Sequence, residues 1–439
     1  MFEFSRERRV VITGLGLISA LGNTKEELWD ALCQGRSGVR SMPENMAAFP
    51  TRVAAPASFQ GDIEEFGPLD KEQKKAIRKG LKVMCRECQL GIAAAQRALA
   101  DAGLALGKYD PTRTGIAFGS DYMVTLPDEF SAPVSQCVNG GRTFEFSRWP
   151  VEGLPKMSPL WLLKYLPNMP ASHLAIYNDL QGPNNSITLR EASGNVAIAE
   201  AAATIRQGRA DIMLCGATGT RLHPLKTIHA FQQEEVSPGD DDPARTPRPF
   251  DRRRTGMVLG EGAGAVVLEG LASAEARGAT IYAEVITGAS SSVVGRRLVA
   301  QRDAAMRNVL AAVLVQSGFS PDEIGHLHAH ALSTRSGDAE EARAIGHVFG
   351  GRREPLPVVA AKSYFGNPGA GSAMIELAAS VLALNHGRLF PVLNFEEPDP
   401  DCPVAAVTSA DTPPGKSFIN LNVTPQGQAS AVLVQRLAD

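Results

Sequence analysis

The chain has 439 residues, of which 44% are hydrophobic and 21% charged, and its formal net charge at pH 7 is -3. These proportions are typical of a soluble globular protein, and the length predicts two packed lobes rather than one core. The charge balance provides no basic surface for nucleic acid, and no apolar run approaches the roughly 20 residues that cross a bilayer. The six cysteines lack the regular spacing of a disulfide framework, which indicates free thiols and a cytoplasmic location.

The N-terminal half predicts strands that alternate with helices. Residues 9–22 predict a buried strand followed by a glycine-rich turn, and residues 70–103 predict one long helix. A strand at Ser186–Leu189, an alanine-rich helix at Ser193–Gln207 and a strand at Asp211–Gly216 follow. Strand, helix and strand in this order indicate a parallel sheet with crossover helices.

Two short motifs in this half could suggest a cofactor or a metal. Gly14-x-Gly16 is followed by Gly22, which is the wrong spacing for the dinucleotide fingerprint GxGxxG. Cys85 and Cys88 form a CxxC pattern inside the predicted helix, but a structural zinc site needs two more ligands at similar spacing. We therefore predict neither a cofactor nor a metal.

A basic stretch at residues 71–82 alternates with the apolar side chains of Ile77 and Leu81. This pattern favours the solvated face of a helix. The alternative is a docking patch for an acidic partner such as a carrier protein.

The C-terminal half repeats the alternation of strands and helices after a glycine-spaced strand at Gly256–Glu269. The alanine-rich helices of the two halves both end at a Gly-Arg pair, which begins at Gly208 in one and at Gly387 in the other. This similarity hints at a duplication. We predict two lobes, residues 1–271 and residues 272–439, in a sheet-helix-sheet stack.

Three segments carry side chains with chemical potential. In the first, a strand, a tight turn and a helix place Glu191 at a helix N-terminus, which favours an anion such as a thiolate, although a glutamate there is also ordinary capping. In the second, His326, His328 and His330 alternate along a strand and could bind zinc, but simple packing is favoured without further ligands. In the third, Lys362 follows a buried strand, where active sites of such sheets collect, although it could equally form a routine ion pair.

Together these segments resemble the elongating β-ketoacyl-carrier-protein synthases in order and spacing, from about Arg9 to Val434. The other stretches that carry the resemblance are RRVVITGLGLISALGNT, RPFDRRRTGMVLGEGAGAVVLE, HALST and KSYFGN. The resemblance implies an α/β, thiolase-like fold with two duplicated βα lobes stacked as a layered α-β-α-β-α sandwich. It also implies decarboxylative condensation of an acyl thioester with a malonyl-carrier thioester.

The family uses a cysteine nucleophile, two histidines, a lysine, a glutamate and a phenylalanine-gated glycine-rich loop. By this resemblance, His330 and Lys362 keep the family's residues, and Glu341 is the glutamate expected to pair with Lys362. Glu191 falls at the nucleophilic cysteine, and Asn367 falls at the second histidine.

Each departure from the family weakens the case for condensation. A carboxylate cannot replace a thiolate as a thioester-forming nucleophile. We expect Glu191 to stay ionised and, if His330 is near, to favour an imidazolium partner. Asn367 can donate a hydrogen bond to a malonyl carbonyl but cannot exchange a proton. Residues 424–430 replace the glycine-rich loop without its aromatic gate, and Pro425 removes a backbone donor from the expected oxyanion hole.

The leading hypothesis is a catalytically silent subunit similar to the chain-length factors that pair with an active ketosynthase. Such a subunit lacks the cysteine and contributes to the wall of its partner's acyl tunnel. The resemblance implies a dimer contact through the strand before the turn, Ser186–Arg190, and a tunnel depth set by large side chains in residues 144–166. The implied partners are an acyl- or malonyl-loaded carrier protein and a second synthase chain, in a homodimer or a heterodimer.

The alternative hypothesis is an enzyme, either a malonyl-carrier decarboxylase or another acyl-thioester enzyme. In it, His330 and Asn367 hold the thioester carbonyl while Glu191 acts as a base or as an electrostatic group. A third possibility, a thiolase-fold binding module unrelated to acyl carriers, has little support in the sequence.

Overall fold

The computed structural model describes residues 9–437. Residues 1–8 and 438–439, which end the two predicted lobes, lie outside the described residues. The strands are β1 Val10–Ile18, β2 Arg40–Ser41, β3 Val53–Ala54, β4 Thr114–Ser120, β5 Asn184–Thr188, β6 Ile212–Thr220, β7 Glu261–Gly270, β8 Ala283–Ser292, β9 His326–His328, β10 Pro357–Val359, β11 Ala405–Ala406, β12 Ser417–Val423 and β13 Gln428–Gln435. The helices are α1 Lys25–Cys33, α2 Lys71–Gly80, α3 Arg86–Asp101, α4 Pro127–Gln136, α5 Met169–Asn178, α6 Ser193–Arg206, α7 Pro224–Gln233, α8 Leu271–Ala276, α9 Arg302–Ser317, α10 Arg335–Phe349, α11 Lys362–Phe365 and α12 Ser372–His386.

Within residues 9–437, eleven strands form one continuous sheet in the order β11-β10-β9-β12-β13-β8-β1-β7-β6-β4-β5. From β1 outwards through β7, β6, β4 and β5, the first two pairings are antiparallel and the next two are parallel. From β8 outwards through β13, β12, β9 and β10, the same sequence of orientations recurs. The halves join where β1 pairs with β8 over residues 10–12. This repeated topology supports the predicted duplication, whereas the boundary between residues 271 and 272 stays a prediction.

The helices form layers on the two halves of the sheet. Helices α6 and α12 pack against each other and contact strands of both halves, so they form the middle layer. Helix α3 covers β1, β6 and β7 from one outer side, and α9 covers β8, β12 and β13 from the other. Every residue of α12 from Ser372 to Leu384 is buried, as expected for a helix between the two halves of the sheet. The arrangement is the predicted α-β-α-β-α sandwich.

Two predictions about the N-terminal elements are wrong. Gly14 and Gly16 do not form a turn but lie within β1, because α3 packs so closely that a Cβ on Gly16 would stand 2.1 Å from a backbone oxygen of α3. The predicted helix at residues 70–103 is two helices, because Met84 and Cys85 are extended. The break separates the solvated α2, in which only Ile77 is buried, from the buried α3.

Candidate active site

Charged and polar side chains follow the parallel strands of both halves of the sheet. Asp121 directly follows β4, Glu191 lies between β5 and α6, and Arg221 directly follows β6. His330 comes two residues after β9, and Lys362 starts the short helix after β10. Because the carboxyl ends of parallel strands lie at one edge of a sheet, these residues of distant sequence come together.

Glu191 lies in a tight turn that is fixed by its neighbours. Arg190 has a φ of 53°, in the left-handed region that few residues other than glycine adopt. The hydroxyl of Ser193 accepts a hydrogen bond from the amide of Leu189 at 2.9 Å and donates to the carbonyl of Ser120 at 3.0 Å. The turn therefore directs the Glu191 side chain inwards, where it is only 2% exposed.

The Glu191 carboxylate is bound by cationic and amide groups. Its Oε1 accepts hydrogen bonds from Arg221 Nη2 and, at 3.2 Å, from Asn367 Nδ2, while Arg190 Nε lies 3.7 Å from Oε2. Arg221 is 1% exposed, and its Nη1 lies 3.1 Å from Asp121 Oδ2. Burial alone would raise the pKa of Glu191, but Arg221 and then Arg190 hold that pKa well below its ordinary value. Glu191 is therefore ionised at neutral pH and forms an ion pair with the buried Arg221.

A second buried ion pair extends this cluster inwards. Lys226 Nζ donates to Glu87 Oε1 at 2.5 Å, and both side chains are buried. Burial alone would lower the pKa of Lys226, but Glu87 and Asp121 raise it. Buried charges of alternating sign thus follow one another, and we call this set the buried ionic cluster: Glu191, Arg221, Asp121, Lys226 and Glu87.

The charge of Glu191 acts on the pKa of His330, but His330 is not the cation that pairs with Glu191. Its Nδ1 lies 3.2 Å from Asn422 Oδ1, and its carbonyl accepts a hydrogen bond from Lys362 Nζ at 2.8 Å. Burial, followed by Lys362, lowers the pKa of His330 well below its ordinary value, although Glu191 acts in the opposite direction. Glu191 favours the imidazolium form of His330, as expected, but burial and Lys362 outweigh it, so the neutral imidazole is favoured. The positive charge paired with Glu191 is that of Arg221.

Lys362 pairs with a different glutamate from the one expected. Its Nζ donates to Glu376 of α12, and both residues are buried. Glu341 instead accepts the backbone N–H groups of His330 at 2.6 Å and Ala331 at 2.7 Å. Burial raises the pKa of Glu341 to about 8, although the two amides oppose that shift. Glu341 thus holds the backbone around His330 in place, and the predicted pairing with Lys362 is wrong.

Asn367 has its side-chain amide committed to the protein. Its Nδ2 donates to Glu191 and approaches Met257 Sδ at 3.0 Å. Its Oδ1 accepts from the amide of Gly369 and the hydroxyl of Ser372, each at 3.0 Å. The amide orientation is therefore fixed, with the donor directed at the Glu191 carboxylate rather than at a free space.

The outer side of the turn is covered by residues 424–427, which join β12 to β13 and form the first part of the segment 424–430 singled out in the sequence. Arg190 Nη1 donates to Gln426 Oε1 of this loop at 3.1 Å and to Gln233 Oε1 of α7 at 2.5 Å. The Arg190 guanidinium also lies 5.9 Å from the ring centre of Tyr122. These contacts place the Arg190 side chain over Glu191, so the segment that lacks the family's aromatic gate forms a polar cover.

His326 and His328 lie in the sheet interior and share one partner. His326 Nε2 lies 3.1 Å and His328 Nδ1 2.8 Å from the hydroxyl of Ser380. Burial lowers the pKa of His326 to about 4 and that of His328 well below its ordinary value. Across residues 9–437, no group of three or more His, Cys, Asp or Glu side chains is placed to hold a metal ion.

Sequence reasoning missed Arg221, Asp121, Lys226 and Glu376, which complete the charge pairing. Arg221 and Asp121 each directly follow a buried strand, which is the same signal that singled out Lys362. Lys226 and Glu376 lie within helices among apolar residues, where one charged side chain gives no local hint of its partner.

Comparisons with known proteins identify the family of the chain. Residues 7–274 match the family model of the β-ketoacyl synthase N-terminal domain, and residues 282–396 match that of the C-terminal domain. The 3-oxoacyl-[acyl-carrier-protein] synthase 2 of Synechocystis is 31% identical over 399 residues, with 90% of each chain covered. The ketoacyl synthase alpha subunit of the tetracenomycin polyketide synthase of Streptomyces glaucescens is 33% identical over 400 residues, covering 90% of this chain and 89% of the relative.

Solved structures agree with the family match. The ishigamide ketosynthase/chain length factor superimposes with a TM-score of 0.82 at 26% identity, covering 98% of this chain and 100% of the other. A type II polyketide acyl-carrier protein in complex with its ketosynthase gives a TM-score of 0.81 at 25% identity, with the same coverage.

The chain belongs to the β-ketoacyl synthase family, and its thiolase-like fold is confirmed. It is a ketosynthase-family protein of fatty acid or polyketide synthesis. No helix in the described part of the chain has both the length and the hydropathy needed to span a membrane.

Proposed function

We propose that this chain is a non-condensing subunit that works beside an active ketosynthase, in the manner of a chain-length factor. One observation carries the proposal. The side chain at the position of the nucleophile, Glu191, is an ionised carboxylate held in a buried ion pair with Arg221. A condensing enzyme needs a nucleophile there that can form and release a thioester, and a carboxylate paired in this way does neither.

The surroundings of Glu191 support the same conclusion. The buried ionic cluster consists of buried charged side chains that pair with one another. Opening such a cluster for an acyl chain would leave charges unpaired in the interior, at about 3–5 kcal/mol for each broken pair. On the other side, His330 borders a cavity of about 10 Å³, which suits one water rather than a thioester.

A partner chain is supported by the free edge of β5 and, separately, by exposed apolar side chains between β4 and α5. Strand β5 lies at the end of the sheet order, so one of its backbone edges is free for another strand within the described structure. A second feature favours a partner: between β4 and α5, large apolar side chains are exposed to solvent, which is typical of an interaction surface. They are Leu126, Phe144, Phe146, Val151, Leu154, Leu160, Leu162 and Leu163. We infer that a cysteine-containing ketosynthase binds here, since a silent homodimer would have no nucleophile.

The carrier protein is the second proposed partner. Helix α2 exposes basic side chains, and Ile77 is its only buried residue. These side chains are Lys71, Lys75, Arg78, Lys79 and, just beyond the helix, Lys82. Such a surface attracts an acidic protein and steers its approach.

A malonyl-carrier decarboxylase remains the second candidate function. The observation that favours it is the imidazole of His330, whose Nδ1 lies 3.4 Å from Lys362 Nζ. When Nδ1 accepts from that ammonium, Nε2 carries the proton of the neutral imidazole. A neutral imidazole can donate a hydrogen bond to a thioester carbonyl, which decarboxylation requires.

The test of the proposed function compares product chain lengths from a candidate partner ketosynthase with and without this chain. We expect the lengths to change when the chain is added and binds. A matched pair of variants makes the test specific: Val151 is 78% exposed in the proposed interface, and Val315 is 82% exposed on α9. Val151→Asp should reduce binding and the change in chain length, whereas Val315→Asp should leave both intact. Unchanged products with a tightly bound partner would overturn the proposal.

A further inference from the structure

The CxxC motif has no role in the proposed function, yet its two cysteines are neighbours in space. Cys85 is the N-cap residue of α3, and Cys88 lies in the first turn of that helix. Their Sγ atoms are 3.6 Å apart. A disulfide requires sulfurs about 2.0 Å apart, which side-chain rotation at a helix start can reach without moving the helix.

One of the two cysteines can be reached from outside. Cys85 borders a cavity of about 420 Å³ that is also bordered by Met84, Leu126 and His223. Cys88 lies deeper, with no exposed surface. All six cysteines of the chain are free thiols in the structure, and no other pair is recorded in sulfur–sulfur contact among the described residues.

We propose that Cys85 and Cys88 form a redox-active dithiol that closes to an intramolecular disulfide by exchange with a small-molecule disulfide such as glutathione disulfide. Cys85 attacks first because it borders the cavity. Cys88 then completes the disulfide because it is adjacent and shielded from outside reagents.

The exchange balances without any further reactant. The Cys85 thiolate attacks one sulfur of glutathione disulfide, forms a mixed disulfide and releases one glutathione thiolate, which takes up a proton. The Cys88 thiolate then attacks the Cys85 sulfur and releases the second glutathione. Two electrons pass from the protein to glutathione, and the products are one protein disulfide and two glutathione thiols.

The surroundings set the speed of the exchange. Its contact with Cys88, together with burial, raises the pKa of Cys85 well above its ordinary value. Few thiolates are present at neutral pH, so the first attack is slow and needs a long incubation with millimolar disulfide. The pair lies where the basic helix α2 joins the buried body of the protein, and Cys85 Sγ also lies 3.6 Å from Met123 Sδ.

The test counts thiols in the intact, full-length chain. The protein is incubated with glutathione disulfide, denatured at low pH and alkylated, and its mass is measured. We expect Cys85 and Cys88 both to be lost from the six alkylatable thiols of the reduced chain, and peptide mapping to recover a Cys85–Cys88 disulfide.

Variants separate the two roles. Cys88→Ser should stop at a glutathione adduct on Cys85, and Cys85→Ser should leave Cys88 unmodified. Cys33, which is partly exposed, serves as the control for nonspecific exchange and should carry at most a reducible adduct. Six alkylated thiols after a day of incubation, or a mapped disulfide that involves any other cysteine, would overturn the proposal even if neither variant folds.

Discussion

The ion pair between Glu191 and Arg221 leads to a quantitative prediction for Arg221→Met. Methionine keeps an unbranched apolar stem but is shorter than arginine, and it leaves both Glu191 and Asp121 without their shared cation. Removing one partner of a buried ion pair costs about 3–5 kcal/mol, and we expect the upper end because two carboxylates are affected. At pH 7 the free energy of unfolding should therefore fall by about 5 kcal/mol.

The loss should depend on pH with a definite sign. In the wild type the pKa of Glu191 lies below the ordinary 4.5, so its contribution to stability is present above that pH and is lost only as the pH falls further. In the variant, Arg221 no longer opposes burial, so we expect the pKa of Glu191 to rise above its value in the unfolded chain. Stability is then lost as the pH rises through the folded pKa. The difference between variant and wild type should therefore be smaller at pH 5 than at pH 7.

Urea unfolding followed by circular dichroism at the two pH values measures both quantities. Glu191→Gln is the matched control because it keeps the shape of the side chain and leaves Arg221 paired with Asp121. The double variant Arg221→Met/Glu191→Gln should recover about 1–3 kcal/mol of the loss, since one stranded charge is gone. Equal stability of Arg221→Met and the wild type, or an equal difference at pH 5 and pH 7, would refute the argument.

Three further predictions follow from the site and its surface. Glu191→Cys should not become acylated by acyl-carrier protein, because Arg190 covers the position and the buried ionic cluster lies beside it. Intact-protein mass spectrometry is the measurement, and a stoichiometric acyl adduct would contradict the prediction. Because burial raises the pKa of Glu341 to about 8, the wild type should lose stability as the pH rises through that value. Glu341→Gln should remove this dependence, as melting temperatures from pH 6 to pH 9 would show. Parallel curves of melting temperature against pH for the variant and the wild type would count against the prediction. Lys75→Glu on α2 should weaken carrier binding about fivefold at low salt, as measured by isothermal titration calorimetry. Lys108 is also exposed, and Lys108→Glu should leave carrier binding unchanged. Equal effects of the two substitutions would rule out α2 as the docking surface.

The sequence predicted the parts of the fold that depend on local pattern. The alternation of buried strands with alanine-rich helices predicted the layered architecture, and the strand-turn-helix pattern around Glu191 predicted the turn at which it lies. The prediction of one long helix at residues 70–103 was wrong because both parts of the segment have helical periodicity. The two helices are separated only by the extended backbone of Met84 and Cys85. Gly16 was misplaced because the close approach of α3 cannot be seen in a local window.

The candidate site was predicted residue by residue but not pair by pair. His330 and Lys362 were singled out and do lie together, at 2.8 Å between the Lys362 ammonium and the His330 carbonyl. The identities of the cation beside Glu191 and of the anion beside Lys362 were not predictable, because Arg221 and Glu376 are ordinary charged residues of other elements. Which charged side chains pair in a buried site depends on which strand ends lie together, and this cannot be read from the local sequence pattern.

The most direct test of the central claim asks whether this chain, alone, acts on a carrier-bound malonyl group. Purified protein is mixed with malonyl- and acyl-carrier protein, and intact-protein mass spectrometry follows both carriers and the chain itself. We predict that the carriers stay unchanged and that no acyl group appears on the chain, because Glu191 is locked to Arg221 and His330 borders a cavity of about 10 Å³. Conversion of malonyl- to acetyl-carrier, abolished by His330→Ala, would contradict the account and establish a decarboxylase.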